Sequence, residues 1–150
     1  MYAEIEKSPF IWASYGWIMF DHAVPGWDRG GIKGRNHKGL ITHDRNIKKD
    51  AFYWYKANWS NENVLYLTGR RNNMLKTNAC IFSAYCNFAT PELFIDGKSY
   101  GKMIAGVNSV QYLTKEIKLT SGQYKIEVKA VENGKSYHDE YIINVENIDG

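Results

Sequence analysis

From about Asn58 onward, hydrophobic and polar positions alternate in short runs that are separated by turn residues. The clearest run, YKIEVKA at 124–130, alternates apolar and charged residues, so one face of a strand packs inward while the other meets water. Asp96-Gly97 and Asn133-Gly134 are typical of two-residue hairpin turns, in which both central positions need positive φ, and Ser121-Gly122 supplies another turn. The pattern predicts a mainly β fold, a β-sandwich of roughly immunoglobulin type. Its predicted strands are Val64–Thr68, Ala79–Tyr85, Glu92–Ile95, Val110–Leu119, Tyr124–Val131 and Tyr137–Val145.

The first third of the chain follows a different pattern. Phe10–Phe20 is an almost unbroken apolar and aromatic run, which is typical of a strand buried on both faces, as in a parallel sheet or a barrel. A polar, glycine-rich loop follows over Asp21–Gly39, and Leu40–Thr42 could be a further short extended piece. Asp50–Lys56 is predicted to be helical, with Asp50 near the N-terminus, where its charge favours the helix dipole. Strand, loop and helix make one β/α unit without partner strands, so we expect a truncated barrel.

Composition narrows the function classes. Hydrophobic residues make up 44% and charged residues 23% of the chain, as in globular proteins. A net charge of +3 with scattered lysines and arginines argues against a nucleic-acid partner. No stretch approaches the roughly 20 apolar residues of a membrane span, and no signal peptide is visible. The aromatic share of 15% suits sugar binding, because flat rings match the apolar faces of pyranoses, but aromatic residues also favour strands.

The two cysteines, Cys80 and Cys86, lie in one predicted strand. Six residues at about 3.3 Å each separate them by about 20 Å, which is beyond the reach of a disulfide. We therefore expect buried free thiols. His22, His37, His43 and His138 show no metal-ligand spacing, and the sequence predicts neither a metal site nor a cofactor.

Four segments carry longer motifs. Tyr15–His22 reads YGWIMFDH, Asp28–Arg45 reads DRGGIKGRNHKGLITHDR, and Lys48–Trp59 reads KKDAFYWYKANW. Pro91–Gly101 reads PELFIDGKSYG. In this order they resemble the last barrel strand, the following loop, the following helix and a sandwich hairpin of glycoside hydrolase family 2, which includes the β-galactosidases. The resemblance spans nearly the whole chain; its first three segments are specific to the family, and the hairpin alone is only suggestive.

The resemblance implies a C-terminal fragment of a β-galactosidase-like enzyme. Residues 1–57 would be the remnant of a (β/α)8 barrel containing its last β/α unit, and residues 58–150 an immunoglobulin-like accessory sandwich. The family is retaining and needs two glutamates about 5.5 Å apart; both lie on earlier barrel strands, and no matching motif occurs here. The chain alone is therefore predicted to be inactive, with no catalytic residue of its own. The resemblance slightly favours a periplasmic or secreted location over the cytoplasm.

The resemblance also gives candidate substrate-binding residues. Trp17 matches the tryptophan at the end of the last barrel strand, which packs against the sugar in the −1 subsite; a core tryptophan is the alternative. Asp21 follows the carboxyl end of that strand, the face on which barrel enzymes place their chemistry. It could hydrogen-bond sugar hydroxyls, or it could equally anchor the loop.

Asn36 and Lys38 belong to the loop that lies beside the active site in relatives. In some relatives an asparagine of this loop helps to hold sodium, but Lys38 occupies the matching place, and an ammonium group is a poor cation ligand. Ile18 replaces the usual asparagine or aspartate, and Gly31-Ile32-Lys33 replaces Asp-Thr-Pro. Either the sugar specificity of the parent has shifted, or this copy is under relaxed constraint.

Three hypotheses follow from these patterns. The chain is a piece of a family 2 glycosidase whose carbohydrate substrate is a β-galactoside or a related sugar. Alternatively, the sandwich is a free-standing carbohydrate-binding or interaction module, or it is purely structural. Tyr2, Phe10 and Trp12 would be covered by absent barrel strands, so a chain standing alone would expose an apolar patch, with a hazard of aggregation or dimerisation.

Overall fold

The computed structural model describes residues 4, 5, 7–29, 31–77 and 79–146. The chain divides into two compact units, Met1–Phe52 and Tyr53–Gly150, which are described separately. Among the described residues, no helix is long and apolar enough to cross a membrane. That residues 1–57 are a barrel remnant and residues 58–150 an accessory domain stays a prediction.

The first unit contains little regular structure besides the start of a helix. Strand β1, His22–Ala23, pairs antiparallel with β2, Arg35–Asn36. Phe20 forms a parallel bridge with Ile41, which in turn bridges Lys48 in the antiparallel sense. Ile41 is buried, so the predicted extended piece at Leu40–Thr42 runs through the centre of these pairings.

The strand predicted over Phe10–Phe20 is wrong. Its described residues form no strand beyond the single bridge at Phe20. Phe10 is 81% exposed and Trp12 90% exposed, which agrees with the exposed apolar segment expected of a chain without covering barrel strands. A strand needs hydrogen-bonded neighbours and covered faces. Among the described residues, backbone donors from outside this segment are Leu40 and Ile41, which bind the carbonyls of Ile18 and Met19. Tyr2, the third member of the expected apolar patch, lies outside the described residues.

Helix α1, Asp50–Trp59, confirms the predicted helix and extends it by one turn. Asp50 lies in its first turn and Lys56 in its last, where each charge is favourable to the helix dipole. Lys56 also forms an ion pair with Glu62 at 2.6 Å, just beyond the end of the helix. Ala57 is its buried residue, and it packs with Val64, which follows the helix.

The second unit is mainly β and forms a sandwich. Its strands are β3 Leu65–Leu67, β4 Met74–Lys76, β5 Ala79–Cys80, β6 Ser83–Cys86, β7 Glu92–Ile95, β8 Lys98–Lys102, β9 Ile104–Ala105, β10 Gln111–Leu113, β11 Ile117–Lys118, β12 Gly122–Glu132 and β13 Lys135–Glu146. A four-stranded antiparallel sheet has the order β3-β6-β10-β9. A five-stranded sheet has the order β4-β13-β12-β7-β8, in which only the β4–β13 pair is parallel. The described residues also form a two-stranded pair, β11-β5.

Both predicted two-residue turns are present. Asp96 and Gly97 connect β7 and β8 with φ of 49° and 79°, and Asn133 and Gly134 connect β12 and β13 with φ of 50° and 76°. These values are those of the hairpin turns that match the right-handed twist of paired strands. The second hairpin is the longest in the molecule's described part, with pairing from Gly122↔Val145 to Glu132↔Lys135.

The core of the sandwich lies between the two larger sheets. Leu67 and Ala84 of one sheet and Leu93, Ile126 and Ile143 of the other are all fully buried in one cluster. Burial on β12 falls on Ile126, Val128 and Ala130, as the alternation in the sequence predicts.

The cysteines are free and buried, as expected. However, they do not lie in one strand. Cys80 ends β5 and Cys86 ends β6, and these strands belong to different sheets. Burial raises the pKa of both thiols, which keeps them protonated and unreactive near neutral pH.

Candidate functional site

Asp21 is the centre of a polar cluster in the first unit. Its side chain is 3% exposed, and its Oδ1 accepts a hydrogen bond from the backbone N–H of Gly39 at 2.8 Å. The same oxygen lies 2.6 Å from Nζ of Lys49. The carboxylate therefore joins the start of the Asp21–Gly39 loop to its end and to the residue that precedes helix α1.

Lys49 has a second acceptor in this loop. Its Nζ also donates to the backbone carbonyl oxygen of His37 at 2.9 Å. The imidazole of His37 holds the far side of the loop, because its Nε2 accepts the N–H of Ile32 at 3.0 Å. Its Nδ1 lies 3.7 Å from Oδ2 of Asp21. Lys49, Asp21 and His37 thus connect the start, the middle and the end of the loop through hydrogen bonds.

Gly39 allows this arrangement because it has no side chain. A Cβ at this position would lie 2.1 Å from the backbone nitrogen of Asp21 and 2.2 Å from the carbonyl carbon of Phe20. The two backbone segments can approach so closely only at a glycine.

The environment of Asp21 shifts its acidity. Burial by itself would raise the pKa, but the hydrogen bonds from Lys49 and Gly39 and the charge of Lys49 outweigh it. Together they hold the pKa of this carboxyl below its ordinary value of 3.8.

This shift gives a pH dependence with a definite sign. Because the pKa is lower in the folded chain than in the unfolded chain, the charged carboxylate stabilises the loop fully above the ordinary value and loses that effect as the pH falls through the folded pKa. We expect the amide proton of Gly39 to report this titration in NMR spectra, with a midpoint below 3.8. The Asp21→Asn variant should lack it; a midpoint above the ordinary value would contradict the assignment.

Asn36 and Lys38 form the turn that follows β2. Asn36 is buried, and its Oδ1 accepts the backbone N–H of Lys38 at 3.0 Å. The side chain of Lys38 is exposed. Its Nζ lies 6.0 Å from the ring centroid of Trp27, over which Arg29 also lies at 5.2 Å. A buried amide and an exposed lysine are therefore two residues apart on a loop that Asp21 and Lys49 hold.

The charge around this turn is positive. Residues 21–49 contain seven lysines and arginines against three aspartates. One of the aspartates, Asp21, is paired with Lys49. Such a segment attracts anions and gives them hydrogen-bond donors. Among the described residues, no group of three or more histidine, cysteine, aspartate or glutamate side chains could hold a metal ion.

The fourth candidate residue, Trp17, belongs to the segment that precedes this loop. It is 72% exposed, and its peptide bond to Ile18 is cis. Of the four residues predicted to bind sugar, Asp21, Asn36 and Lys38 thus lie in one loop. Trp17 precedes Ile18, whose carbonyl oxygen accepts the backbone N–H of Leu40 at the end of that loop. The sugar-binding role of all four stays a prediction.

The chain is similar to known glycoside hydrolases. No family model matches the sequence. A β-glucuronidase of Bacteroides fragilis is 40% identical over 125 residues, which cover 83% of this chain and 18% of that protein. A crystal structure from the same species, named "putative beta-galactosidase", superposes with a TM-score of 0.92 at 42% identity, covering 97% of this chain and 22% of that one. The homologues of this chain are therefore glycoside hydrolases.

A further homologous glycoside hydrolase has a known structure. An FMN-binding β-glucuronidase from Facaelibacterium prausnitzii L2-6 superposes with a TM-score of 0.80 at 31% identity, over 94% of this chain and 21% of that one. The chain therefore spans about a fifth of the length of the glycoside hydrolases that it matches.

One functional contact was missed in the sequence. From the sequence, Lys49 is identified only as part of the helix motif Lys48–Trp59, although it supplies the cation for Asp21 across 28 positions of sequence. A buried aspartate carboxylate is stable only with a partner such as a cationic side chain. However, the sequence offers seven cations between residues 21 and 49 without a signal that distinguishes Lys49 from Lys48.

Proposed function

We propose that this chain is part of a retaining glycosidase of family 2. Residues 10–59 would supply the last strand, loop and helix of the catalytic barrel, and the sandwich would brace that barrel. Three observations support the proposal: the homologous glycoside hydrolases, the apolar segment around Phe10 and Trp12 that lacks a cover, and the match of the motifs from Tyr15 to Trp59. In this proposal Trp17 and the turn from Asn36 to Lys38 form one wall of the sugar site.

We further propose that the sugar carries a carboxylate, as in a β-glucuronide. The observation that carries this step is the exposed side chain of Lys38, whose backbone N–H is bound by the buried amide of Asn36. Oδ1 of Asn36 accepts the N–H of Lys38, so the polar atom that this amide can still offer to a ligand is the donor Nδ2. Two donors, one of them charged, suit a carboxylate better than the neutral hydroxyl of a galactoside. Two of the three relatives named above are β-glucuronidases.

A titration of the isotope-labelled chain tests this substrate class. Methyl β-D-glucuronide should shift the amide resonances of Asn36 and Lys38, and methyl β-D-galactoside should shift them less. Lys38→Met should weaken the glucuronide affinity roughly tenfold to a hundredfold, since a hydrogen bond to a charged group contributes about 1.5–3 kcal/mol. The measurement is the dissociation constant from chemical-shift changes.

Lys33→Met is the matched control for this titration. Lys33 is an exposed lysine of the same loop, so its removal changes the overall charge equally. If both variants weaken binding to the same extent, the general positive field, rather than Lys38, attracts the ligand. Equal shifts with the galactoside would favour the β-galactoside instead, which is the activity in the name of one relative.

A hydrolysis assay tests the inactivity of the chain by itself. A retaining mechanism needs an acid/base and a nucleophile carboxylate about 5.5 Å apart, and the sequence contains neither glutamate motif of the family. We expect no release of nitrophenol from p-nitrophenyl β-D-glucuronide or p-nitrophenyl β-D-galactoside above the buffer rate. Turnover that copurifies with the chain would refute this part of the proposal.

The titration of the isotope-labelled chain with sugars also tests the alternative of a free-standing carbohydrate-binding module. The outer face of the five-stranded sheet carries an open depression of about 540 Å³, which is lined by Phe94, Glu92, Glu127, Tyr137 and His138 among others. Lys129 already lies over the Phe94 ring, 4.4 Å from its centroid, and covers the face on which a sugar would stack. Saturable shifts in this depression, with none at Asn36 and Lys38, would favour the binding module.

A further inference from the structure

We propose that Lys49 is a positioning residue, which orients the turn from Asn36 to Lys38 for a ligand carboxylate without contacting that ligand. The orientation of the turn follows from the contacts of Lys49. The importance of this orientation for binding a carboxylate ligand rests on the function proposed above.

The peptide bond between His37 and Lys38 is held at both of its polar ends. Its carbonyl oxygen accepts a hydrogen bond from Nζ of Lys49 at 2.9 Å. Its N–H donates to Oδ1 of Asn36 at 3.0 Å. Because a peptide unit is planar and rigid, two such contacts fix its orientation and with it the position of the Cα from which the Lys38 side chain extends.

Lys49 is itself fixed on both sides. Its backbone N–H donates to the carbonyl oxygen of Leu40 at 2.8 Å. Its side chain is 13% exposed, and its Nζ is also bound to Oδ1 of Asp21 at 2.6 Å. An ammonium group has three protons, and two of them are used on acceptors from two different segments of the loop.

Asp21 makes the contact difficult to replace. Its carboxylate is almost fully buried, so without Lys49 the nearest remaining donors are the N–H of Gly39 and the imidazole of His37. A buried charge without its cation is unfavourable, and the segment that carries both donors, residues 37–39, would have to move to compensate. That segment includes Lys38 itself.

Three variants of the full chain test the proposal, with Lys48 as the matched control. Lys48 is the neighbouring lysine, but it is exposed and lies over the Phe52 ring rather than in the loop. Amide hydrogen exchange of Lys38 and Gly39 is measured without ligand, and methyl β-D-glucuronide is then titrated into each sample. Lys49→Met should accelerate both exchange rates and weaken glucuronide binding, each by about tenfold or more, as expected for loss of charge-assisted hydrogen bonds.

The other variants separate positioning from simple destabilisation. Lys49→Arg should restore both properties in large part, because a guanidinium group can also bind two acceptors, and Lys48→Met should leave both within about twofold of the original chain. The proposal is overturned if Lys49→Met leaves Lys38 exchange and glucuronide affinity unchanged. It is also overturned if exchange rises equally at Val24, Ile41 and Lys38, since the lysine would then support the unit as a whole.

The exchange measurement keeps this inference apart from the proposed function. If the original chain does not bind the glucuronide, the proposed substrate class fails. The exchange rates of Lys38 and Gly39 then still decide whether Lys49 orients the turn.

Discussion

Ile126→Ala is expected to lower the free energy of unfolding of the sandwich by roughly 2–5 kcal/mol, the usual cost of removing a large buried aliphatic side chain. Ile126 is fully buried in the middle of β12, where it faces Ile95 on one neighbouring strand and Tyr141 on the other. Truncation leaves a cavity between two sheets that cannot collapse without breaking their pairing. Urea unfolding followed by circular dichroism should show a lower midpoint with an unchanged slope.

Val131→Ala on the same strand is the control for this measurement. Val131 is exposed on the outer face, so its truncation should change stability by no more than about 0.5 kcal/mol. Similar losses from the two substitutions would mean that the core does not lie on the face occupied by Ile126, Val128 and Ala130.

Gly39→Ala should destabilise the first unit by about 3 kcal/mol, at the upper end of the cost of overpacking. The new methyl group would lie against the backbone of Phe20 and Asp21, and backbone atoms cannot turn aside as a flexible side chain can. The bond from the Gly39 N–H to Asp21 would have to break. Amide exchange over residues 21–39 is the appropriate measurement, because it reports this unit separately from the sandwich.

Gly26→Ala provides the comparison within the same loop. Gly26 has a φ of +75°, but no atom lies within 4 Å of the position of an added Cβ. Its substitution should therefore cost only about 1 kcal/mol, from the left-handed backbone conformation. If Gly26→Ala were the more harmful change, backbone conformation rather than close approach would limit this loop.

The sandwich could be predicted in large part because its signals are local. The alternation around Ile126 and the two turns at Asp96-Gly97 and Asn133-Gly134 depend on neighbouring residues only. Within the sandwich, predictions were least accurate where the chain changes sheets. The single strand expected over Ala79–Tyr85 is divided at Ile81 and Phe82 into β5 and β6, and an uninterrupted apolar run contains no signal for such a change.

The first unit was predicted less well because its structure depends on partners. The run from Phe10 to Phe20 has the composition of a buried strand, but composition does not supply the neighbours that a strand requires. In the candidate site, Asp21 was identified by its position after that run, and its contacts with Gly39 and Lys49 match the loop-anchoring alternative. Lys49 could not be identified because ion pairs across a long loop depend on the tertiary path of the chain.

The parallel pairing of β4 with β13 has a consequence for synthesis. Met74 pairs with Asn144, so the ribosome must add all the intervening residues before β4 acquires its neighbour. β13 also completes the pairing of β12, which places the last described strand between two earlier ones. In a nascent chain, β4 and β12 would therefore each keep an unpaired edge until translation passes Glu146. We expect the sandwich to form after β13 has left the ribosome rather than one strand at a time.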